Sequence, residues 1–171
     1  MRTIAIVQAR MGSVRFPKKV MQKTSGVPVI ELLLHRLTLS KRVDKIVLAT
    51  SNSSSDNVLA NYIKKIGYSV YQGSEKDVLL RYYKAAIANK ADVVVRITGD
   101  CPLIDPKIID KAISVFFEKK ADYLSNTILS TYPTGMDVEV LAFQVLEKIH
   151  KKSNQNRQRE HVTPYIREEI K

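Results

Sequence analysis

A single cysteine, Cys101, is the only thiol in this chain of 171 residues, so no internal disulfide can form. No apolar run reaches the length of a membrane span, and Gln8 and Arg10 interrupt the first apolar stretch too early for a signal peptide. These absences favour a cytoplasmic protein without a membrane partner. Hydrophobic residues make up 44% of the chain, which argues against disorder and predicts one domain over residues 1–171.

Acidic residues are scarce relative to basic ones, 17 against 28, and the net charge is +11. This excess favours an anionic partner, which could be nucleic acid, a membrane surface or a small anionic substrate. Much of the charge lies in lysine pairs that are typical of solvated helix faces. The sequence lacks the zinc-finger, basic-helix and aromatic RNA-binding patterns, so we expect no nucleic-acid partner.

Short β-branched runs alternate with segments of helical periodicity, which predicts an α/β fold with a mostly parallel sheet. The predicted strands are 3–8, 45–50, 68–73, 91–102, 121–126 and 136–143. The predicted helices are 28–39, 57–67, 75–89, one that Asp105 caps, 144–152 and a last one from about Thr163. In such sheets, ligands bind at the carboxyl ends of the strands. The unusual polar stretches of this chain follow those ends.

The stretch "QARMGSVRFPKK", residues 8–19, places several cations directly after the first predicted strand. Gly12 allows a ligand to approach the backbone amides, and Arg10, Arg15 and Lys19 are suited to phosphate oxygens. The spacing matches neither a Walker A loop nor a dinucleotide-binding loop. A triphosphate site is therefore one interpretation, and a solvated basic loop is the alternative.

Carboxylates follow two later strands. Asp100 ends the stretch "RITGD" and would face the basic loop, as a Mg²⁺ ligand does, although it could simply cap a turn. Asp137 and Glu139 are two residues apart and would share one face of a strand, where they could bind sugar hydroxyls or a metal, or face solvent. Cys101 lacks a positioned base, so we do not expect a catalytic thiol.

Together these stretches resemble the cytidylyltransferase family that includes CMP-Kdo synthetases, CMP-sialic acid synthetases and SpsF-like spore-coat polysaccharide proteins, with the SpsF-like branch as the best match. The shared stretches include "IVQARMGSVRFPKKVM", "QGSEKDVLLRYYKA", "VVRITGDCPLIDP", "YPTGMDVEV" and "REHVTPYI". The resemblance implies a nucleotide-diphospho-sugar transferase-like fold, a three-layer sandwich of GT-A or Rossmann type. It also implies transfer of CMP from CTP to an acceptor, with Mg²⁺ as cofactor and release of pyrophosphate, for surface polysaccharide synthesis.

Site residues follow from the matching motifs. Those that the resemblance places at the nucleotide are Ala9, Arg10, Met11, Gly12, Ser13, Arg15, Lys19, Thr50, Gln72, Gly73, Arg96, Thr98, Gly99 and Asp100. Arg10, Arg15, Lys19 and Asp100 form the implied catalytic set, and Asp100 would bind the metal. Those that it places at the acceptor are Tyr123, Ser125, Asn126, Tyr132, Asp137, Glu139, Arg159, Glu160 and His161.

The sequence departs from the family pattern at two places. Lys18 stands where the family usually has glycine. We also expect a single nucleotidyltransferase domain that lacks the family's C-terminal tail, which supplies a second metal carboxylate and part of a homodimer contact, and Asp137 could replace that carboxylate. The acceptor stays open between an acidic sugar, a sugar phosphate and a small phospho-acid. The alternatives to a CTP-dependent enzyme are a nucleotidyltransferase that uses another base and a glycosyltransferase that uses a nucleotide-sugar.

Overall fold

A computed structural model describes residues 1–12, 16–130 and 132–169. The strands are β1 (Thr3–Gln8), β2 (Lys23–Thr24), β3 (Val27–Pro28), β4 (Lys45–Ser51), β5 (Ser69–Gly73), β6 (Val93–Thr98), β7 (Tyr123–Ser125) and β8 (Glu139–Ala142). The α-helices are α1 (Val29–Leu37), α2 (Asn57–Lys65), α3 (Val78–Ala88), α4 (Pro106–Glu118), α5 (Phe143–Lys152), α6 (Asn156–His161) and α7 (Pro164–Glu169). Short 3₁₀ turns cover Lys19–Met21 and Ser54–Asp56.

One sheet organises this part of the chain, and its six strands lie in the order β5-β4-β1-β6-β8-β7. Strands β5, β4, β1 and β6 are parallel, whereas β8 is antiparallel to both β6 and β7. The sheet grows from β1 towards β4 and β5, and then resumes on the other side of β1 with β6. Ligand crevices open at the carboxyl ends of strands where the order reverses in this way.

Side chains of alternate residues along β1 belong to two separate cores. Ala5 and Val7 pack with α1, α2 and α4 on one face of the sheet. Ile4 and Ile6 pack with α3, α5 and α7 on the other face. The same alternation continues in β6, so the sheet is covered by helices on both sides, which confirms the three-layer α/β architecture.

Most predicted elements are present, with shifted ends. The strand predicted over 91–102 ends at Thr98, because the chain turns at residues 99 and 100. The helix predicted over 75–89 starts at Val78, because Asp77 caps it by accepting a hydrogen bond from the Leu80 amide at 2.8 Å. The predicted Asp105 cap is confirmed by a 2.8 Å bond from the Lys107 amide. Helix α6 and the β2–β3 pair were not predicted.

The strand predicted over 136–143 begins only at Glu139. Asp137 therefore precedes the strand, and the expectation that Asp137 and Glu139 share a strand face is wrong. Their exposure differs accordingly, since Asp137 is exposed and Glu139 is 2% exposed.

As for membrane insertion, no helix in the described ranges combines the length and the apolar character of a membrane span.

Candidate active site

The carboxyl ends of β1 and β6 meet at the point where the strand order reverses. Gln8 pairs with Thr98 in the parallel register, and the Gly99 amide donates to the Gln8 carbonyl at 2.8 Å. A Cβ atom on Gly99 would lie 2.7 Å from both Ala9 Cβ and Gln8 O. Residue 99 must therefore be glycine for the loops after the two strands to pack this closely.

The basic loop and the loop after β6 are joined by an ion pair. Lys19 Nζ lies 2.6 Å from Asp100 Oδ2, and the two side chains are 35% and 43% exposed. Burial raises the pKa of Asp100, but the hydrogen bond and the charge of Lys19 outweigh it and hold that pKa below its usual value. The structure thus brings two of the four predicted catalytic residues together, and Ser13 and Arg15 lie outside the described residues.

Asp56, which the sequence analysis did not single out, anchors the start of the basic loop. Its carboxylate is buried and accepts hydrogen bonds from the amides of Met11 at 2.7 Å and Ser51 at 3.1 Å. It also accepts the Ser51 hydroxyl. Asp56 therefore ties the loop after β1 to the end of β4. The signal in the sequence was the cap-forming run 51–56, which gave no indication of a partner 45 residues away.

A cavity of about 530 Å³, here called the α3 cavity, opens beside the end of β1. Gln8 and Arg10 line one side, and the N-terminal turn of α3 with Asp77 and Arg81 lines another. Helix α6 completes it with Asn156, Arg159, Glu160 and His161. The structure thereby places Arg10, which was predicted at the nucleotide, in one cavity with three residues that were predicted at the acceptor.

The guanidinium of Arg159 is occupied by protein partners. It donates to both carboxylate oxygens of Asp77, at distances between 2.5 and 3.1 Å, and to the His150 carbonyl at 2.8 Å. His150 in turn stacks on Tyr83 with 4.4 Å between ring centroids. Burial and then the charge of Arg159 lower the pKa of His150, which favours the neutral ring. Arg159 thus fixes α6 against the start of α3.

Glu139 is the centre of a buried charge network. Its carboxylate accepts hydrogen bonds from Arg96 at 2.5 Å, Tyr123 at 2.5 Å, Thr163 at 2.9 Å and Arg167 at 2.7 Å. Burial raises the pKa of Glu139, but the charge of Arg96 and the other hydrogen bonds outweigh it, and the pKa lies below its usual value. Arg167, which sequence reasoning missed, reaches this network from α7.

A smaller cavity of about 160 Å³, here called the β8 cavity, adjoins the network. The residues that line it are Arg96, Thr98, Thr127, Asp137, Glu139 and Arg167. Thr98, which lines it, precedes Asp100 by two residues. Gln8, the β-sheet partner of Thr98, lines the α3 cavity instead. The two cavities therefore border neighbouring residues at the β1–β6 junction.

The remaining predicted residues have structural contacts of their own. Asn126 binds the backbone of Met136 at 2.7 Å and Val138 at 2.8 Å, and the Ser125 and Thr127 hydroxyls are 2.8 Å apart. Gln72 donates to the Ser51 carbonyl at 3.3 Å, near Gly73 at the end of β5. Tyr132 lies 3.5 Å from Lys111 of α4 and lines neither of the two cavities.

Several buried polar atoms have no hydrogen-bond partner within the described ranges. Gln8 Oε1, Thr50 Oγ1 and Arg96 Nε lie in the last residues of β1, β4 and β6, and Arg81 Nε lies in α3; Ser153 Oγ and Gln158 Oε1 are the others. Buried polar groups are usually satisfied, so unsatisfied ones gathered at one edge of a sheet are typical of a ligand site. By contrast, burial raises the pKa of the Cys101 thiol, which argues against a thiolate nucleophile.

Among the described residues, no group of three or more His, Cys, Asp and Glu side chains could hold a metal ion. Asp100 offers a half-exposed carboxylate just after the end of β6. Mg²⁺ is commonly held by one or two protein carboxylates together with phosphate oxygens and water. The residues present therefore fit a metal that arrives with a phosphorylated substrate, and they do not form a cage of protein ligands.

Comparison with known proteins gives consistent matches over most of the chain. The cytidylyltransferase family profile matches residues 4–171. An uncharacterised protein of Methanocaldococcus jannaschii, MJ1063, is 44% identical over 170 residues, which are 98% of this chain and 68% of that protein. The spore coat polysaccharide biosynthesis protein SpsF of Bacillus subtilis is 37% identical over 167 residues, 95% of this chain and 68% of the relative. A cytidylyltransferase structure from Leptospira borgpetersenii superposes with a TM-score of 0.94 at 36% identity, covering 99% of this chain and 72% of that one.

Proposed function

This chain belongs to the cytidylyltransferase family and is therefore a CTP-dependent nucleotidyltransferase, and we propose that it transfers CMP to an anionic acceptor for the synthesis of a surface polysaccharide. The observation that carries the proposal is the β1–β6 junction. There the Lys19–Asp100 pair joins the loops that follow the two strands. The last residues of these strands, Gln8 and Thr98, each line a cavity that also holds charged side chains. The polysaccharide assignment follows the name of the Bacillus subtilis relative.

The α3 cavity takes the nucleoside. Its volume of about 530 Å³ lies in the range of small-molecule sites. Gln8 Oε1 and Arg81 Nε are unsatisfied at its border and supply one acceptor and one donor for a base or ribose. Arg10, at the mouth of the cavity, is then positioned where the nucleoside continues into its phosphates.

The triphosphate lies along the basic loop towards Lys19. Lysine supplies a compact positive charge for the β- and γ-phosphates, and Arg15 is proposed as a second cation. Lys19 would then leave Asp100 for the phosphates, and the Asp100 carboxylate would be the residue that holds Mg²⁺. When bound, this metal would neutralise charge on the phosphates.

The acceptor enters from the side of Thr98. An acceptor oxygen forms a bond to the α-phosphorus while the bond from this phosphorus to the bridging oxygen breaks, and pyrophosphate leaves in line. The protein contributes orientation of the two substrates and cations around the developing charge. The mechanism requires no thiol nucleophile, in agreement with the raised pKa of the Cys101 thiol.

A nucleotide panel tests this proposal. CTP with Mg²⁺ is expected to raise the melting temperature more than ATP, GTP or UTP does, because a ligand that binds only the folded state stabilises it. Lys19→Met should remove most of the CTP effect, whereas Lys18→Met, which removes the neighbouring exposed lysine, should retain it. With a panel of acidic sugars and phosphorylated acids, the product should be pyrophosphate. Release of a free nucleoside diphosphate, or a CTP response no larger than that of the other nucleotides, would contradict the proposal.

A further inference from the structure

We propose that the β8 cavity binds the carboxylate or phosphate group of the acceptor between Arg96 and Arg167. This proposal rests on the function proposed above and names the residues that select the acceptor. It moves Arg96, which the resemblance places at the nucleotide, to the acceptor side, because Arg96 lines the β8 cavity and not the α3 cavity. The two guanidiniums come from different parts of the chain, β6 and α7, and both bind Glu139. Neither pairing saturates its arginine.

The first reason is an excess of hydrogen-bond donors. Each arginine carries five N–H donors. Arg96 uses Nη1 for Glu139 at 2.5 Å, and its Nε is buried with no partner in the described part of the chain. Leaving a buried donor unsatisfied costs about 1–3 kcal/mol. An anionic oxygen that reaches this donor from the β8 cavity removes the cost.

The second reason is the charge at the inner end of the cavity. Two arginines face one carboxylate, Glu139, whose two oxygens already accept four hydrogen bonds. Around this buried carboxylate the two arginines leave a positive charge, which Asp137 balances over the lining as a whole. Asp137 is exposed, whereas Glu139 is buried. The anion binds beside Glu139, and Asp137 is left to accept hydrogen bonds from hydroxyl groups of the same molecule.

The third reason is size and position. A volume of about 160 Å³ accommodates an acidic group with a few carbon atoms and excludes a nucleotide. Thr98, which also lines the cavity, precedes Asp100 by two residues. An acceptor whose acidic group is held by Arg96 and Arg167 therefore extends its remaining atoms towards the predicted site of phosphorus transfer.

The test observes Arg96 directly. In a ¹H–¹⁵N spectrum, the Arg96 Nε–H resonance, assigned by its disappearance in Arg96→Lys, is followed during titration with sodium phosphate and, separately, with sodium glycolate. Chloride at the same ionic strength is the reference. Saturable shifts of the Arg96 resonance are expected with at least one probe. A response to glycolate alone identifies a carboxylate acceptor, and a response to phosphate alone identifies a phosphorylated one.

Arg167→Gln is expected to weaken probe binding at least about tenfold, because it removes one of two charge-assisted contacts. Arg42→Gln is the matched control, since it removes an exposed arginine from the turn before β4, at the opposite end of the sheet. Its probe affinity should equal that of the unmodified protein. Equal weakening by both variants would indicate a general charge effect and would overturn the proposal, as would an Arg96 resonance that neither probe moves.

CTP binding separates this proposal from the proposed function. Arg167→Gln should bind CTP within about twofold of the unmodified protein, because the β8 cavity is separate from the α3 cavity. If the unmodified protein binds probe at Arg96 but no CTP, the nucleotide proposal fails and the anion site stands. If it binds CTP but neither probe, the anion site fails and the nucleotide proposal stands.

Discussion

Lys19 and Asp100, 81 residues apart in sequence, form an ion pair between the loops that follow β1 and β6. A triphosphate that binds Lys19 must displace Asp100, and a divalent cation that binds Asp100 must displace Lys19. The pair neutralises both charges when the substrate is absent, and it holds the basic loop against the strand end. A triphosphate and a divalent cation together provide a new partner for each residue, which neither provides alone.

Removing the Asp100 carboxylate should separate the effect of Mg²⁺ on CTP binding from the effect of the Lys19–Asp100 ion pair. In Asp100→Asn, the gain in CTP affinity that Mg²⁺ confers is expected to disappear. CTP affinity without divalent ions should rise, because Lys19 no longer has an anionic competitor. Calorimetric titrations with Mg²⁺ and with a chelator measure both effects. An unchanged response to Mg²⁺ in this variant would exclude Asp100 as the metal ligand.

Gly99→Ala should destabilise the protein by about 1–3 kcal/mol, because the new methyl group overlaps Ala9 and the Gln8 carbonyl. Gly12→Ala is the control, since no atom of the described residues that could crowd it lies within 4 Å of a Cβ at that position. The control should change the free energy of unfolding by less than about 0.5 kcal/mol. Urea unfolding measures both, and equal effects would mean that the β1–β6 junction is not closely packed.

Glu139→Gln should lower the free energy of unfolding by about 3–5 kcal/mol at neutral pH, because it leaves Arg96 buried without its carboxylate. The folded-state pKa of Glu139 lies below the reference value of 4.5. The stabilisation from this ionisation is therefore complete above about 4.5 and is lost as the pH falls through the lower, folded-state pKa.

Urea unfolding at several pH values checks this dependence. The free energy of the unmodified protein should fall more steeply in acid than that of Glu139→Gln. Asp100 gives a dependence of the same sign, but solvent screens it because the side chain is 43% exposed. Parallel pH profiles for the two proteins would show that Glu139 is not ionised in the folded state.

Asp77→Ala and Asp105→Ala compare two helix caps. Each removes a carboxylate that caps a helix, so each should cost about 0.5–2 kcal/mol. Asp77→Ala also removes the partner of Arg159 and should therefore cost more and weaken CTP binding. Thermal unfolding and CTP titration give the two readouts. If Asp77→Ala binds CTP normally, the Arg159 contact is not needed to shape the α3 cavity.

The sequence indicated the order of strands and helices because β-branched runs and helical periodicity are local signals. It also indicated that Lys19 and Asp100 would meet, since both follow strands whose carboxyl ends share one edge of the sheet. The ends of elements were less predictable. Helix α3 begins three residues after its predicted start, because Asp77 caps it there. Pro28 pairs in β3 instead of starting α1.

The buried network around Glu139 could not be predicted from spacing. Its partners Arg96 and Arg167 lie 43 and 28 residues away, and neither is marked by a local pattern. Glu139 resembles a solvated residue when it is considered with Asp137 alone. Its burial depends on β8 pairing antiparallel with β6, which is a long-range property of the sheet.

The hydroxyl of Tyr82, a fully buried residue of α3, lies 3.2 Å from the Ile6 carbonyl and 3.3 Å from the Ile97 carbonyl. The Tyr82 hydroxyl therefore links the adjacent strands β1 and β6 just before Gln8 and Thr98, the residues that end them. The ends of β1 and β6 are thereby held at a fixed distance from each other. Adjustment to substrates of different shape must then come from the side chains and loops that follow these strands.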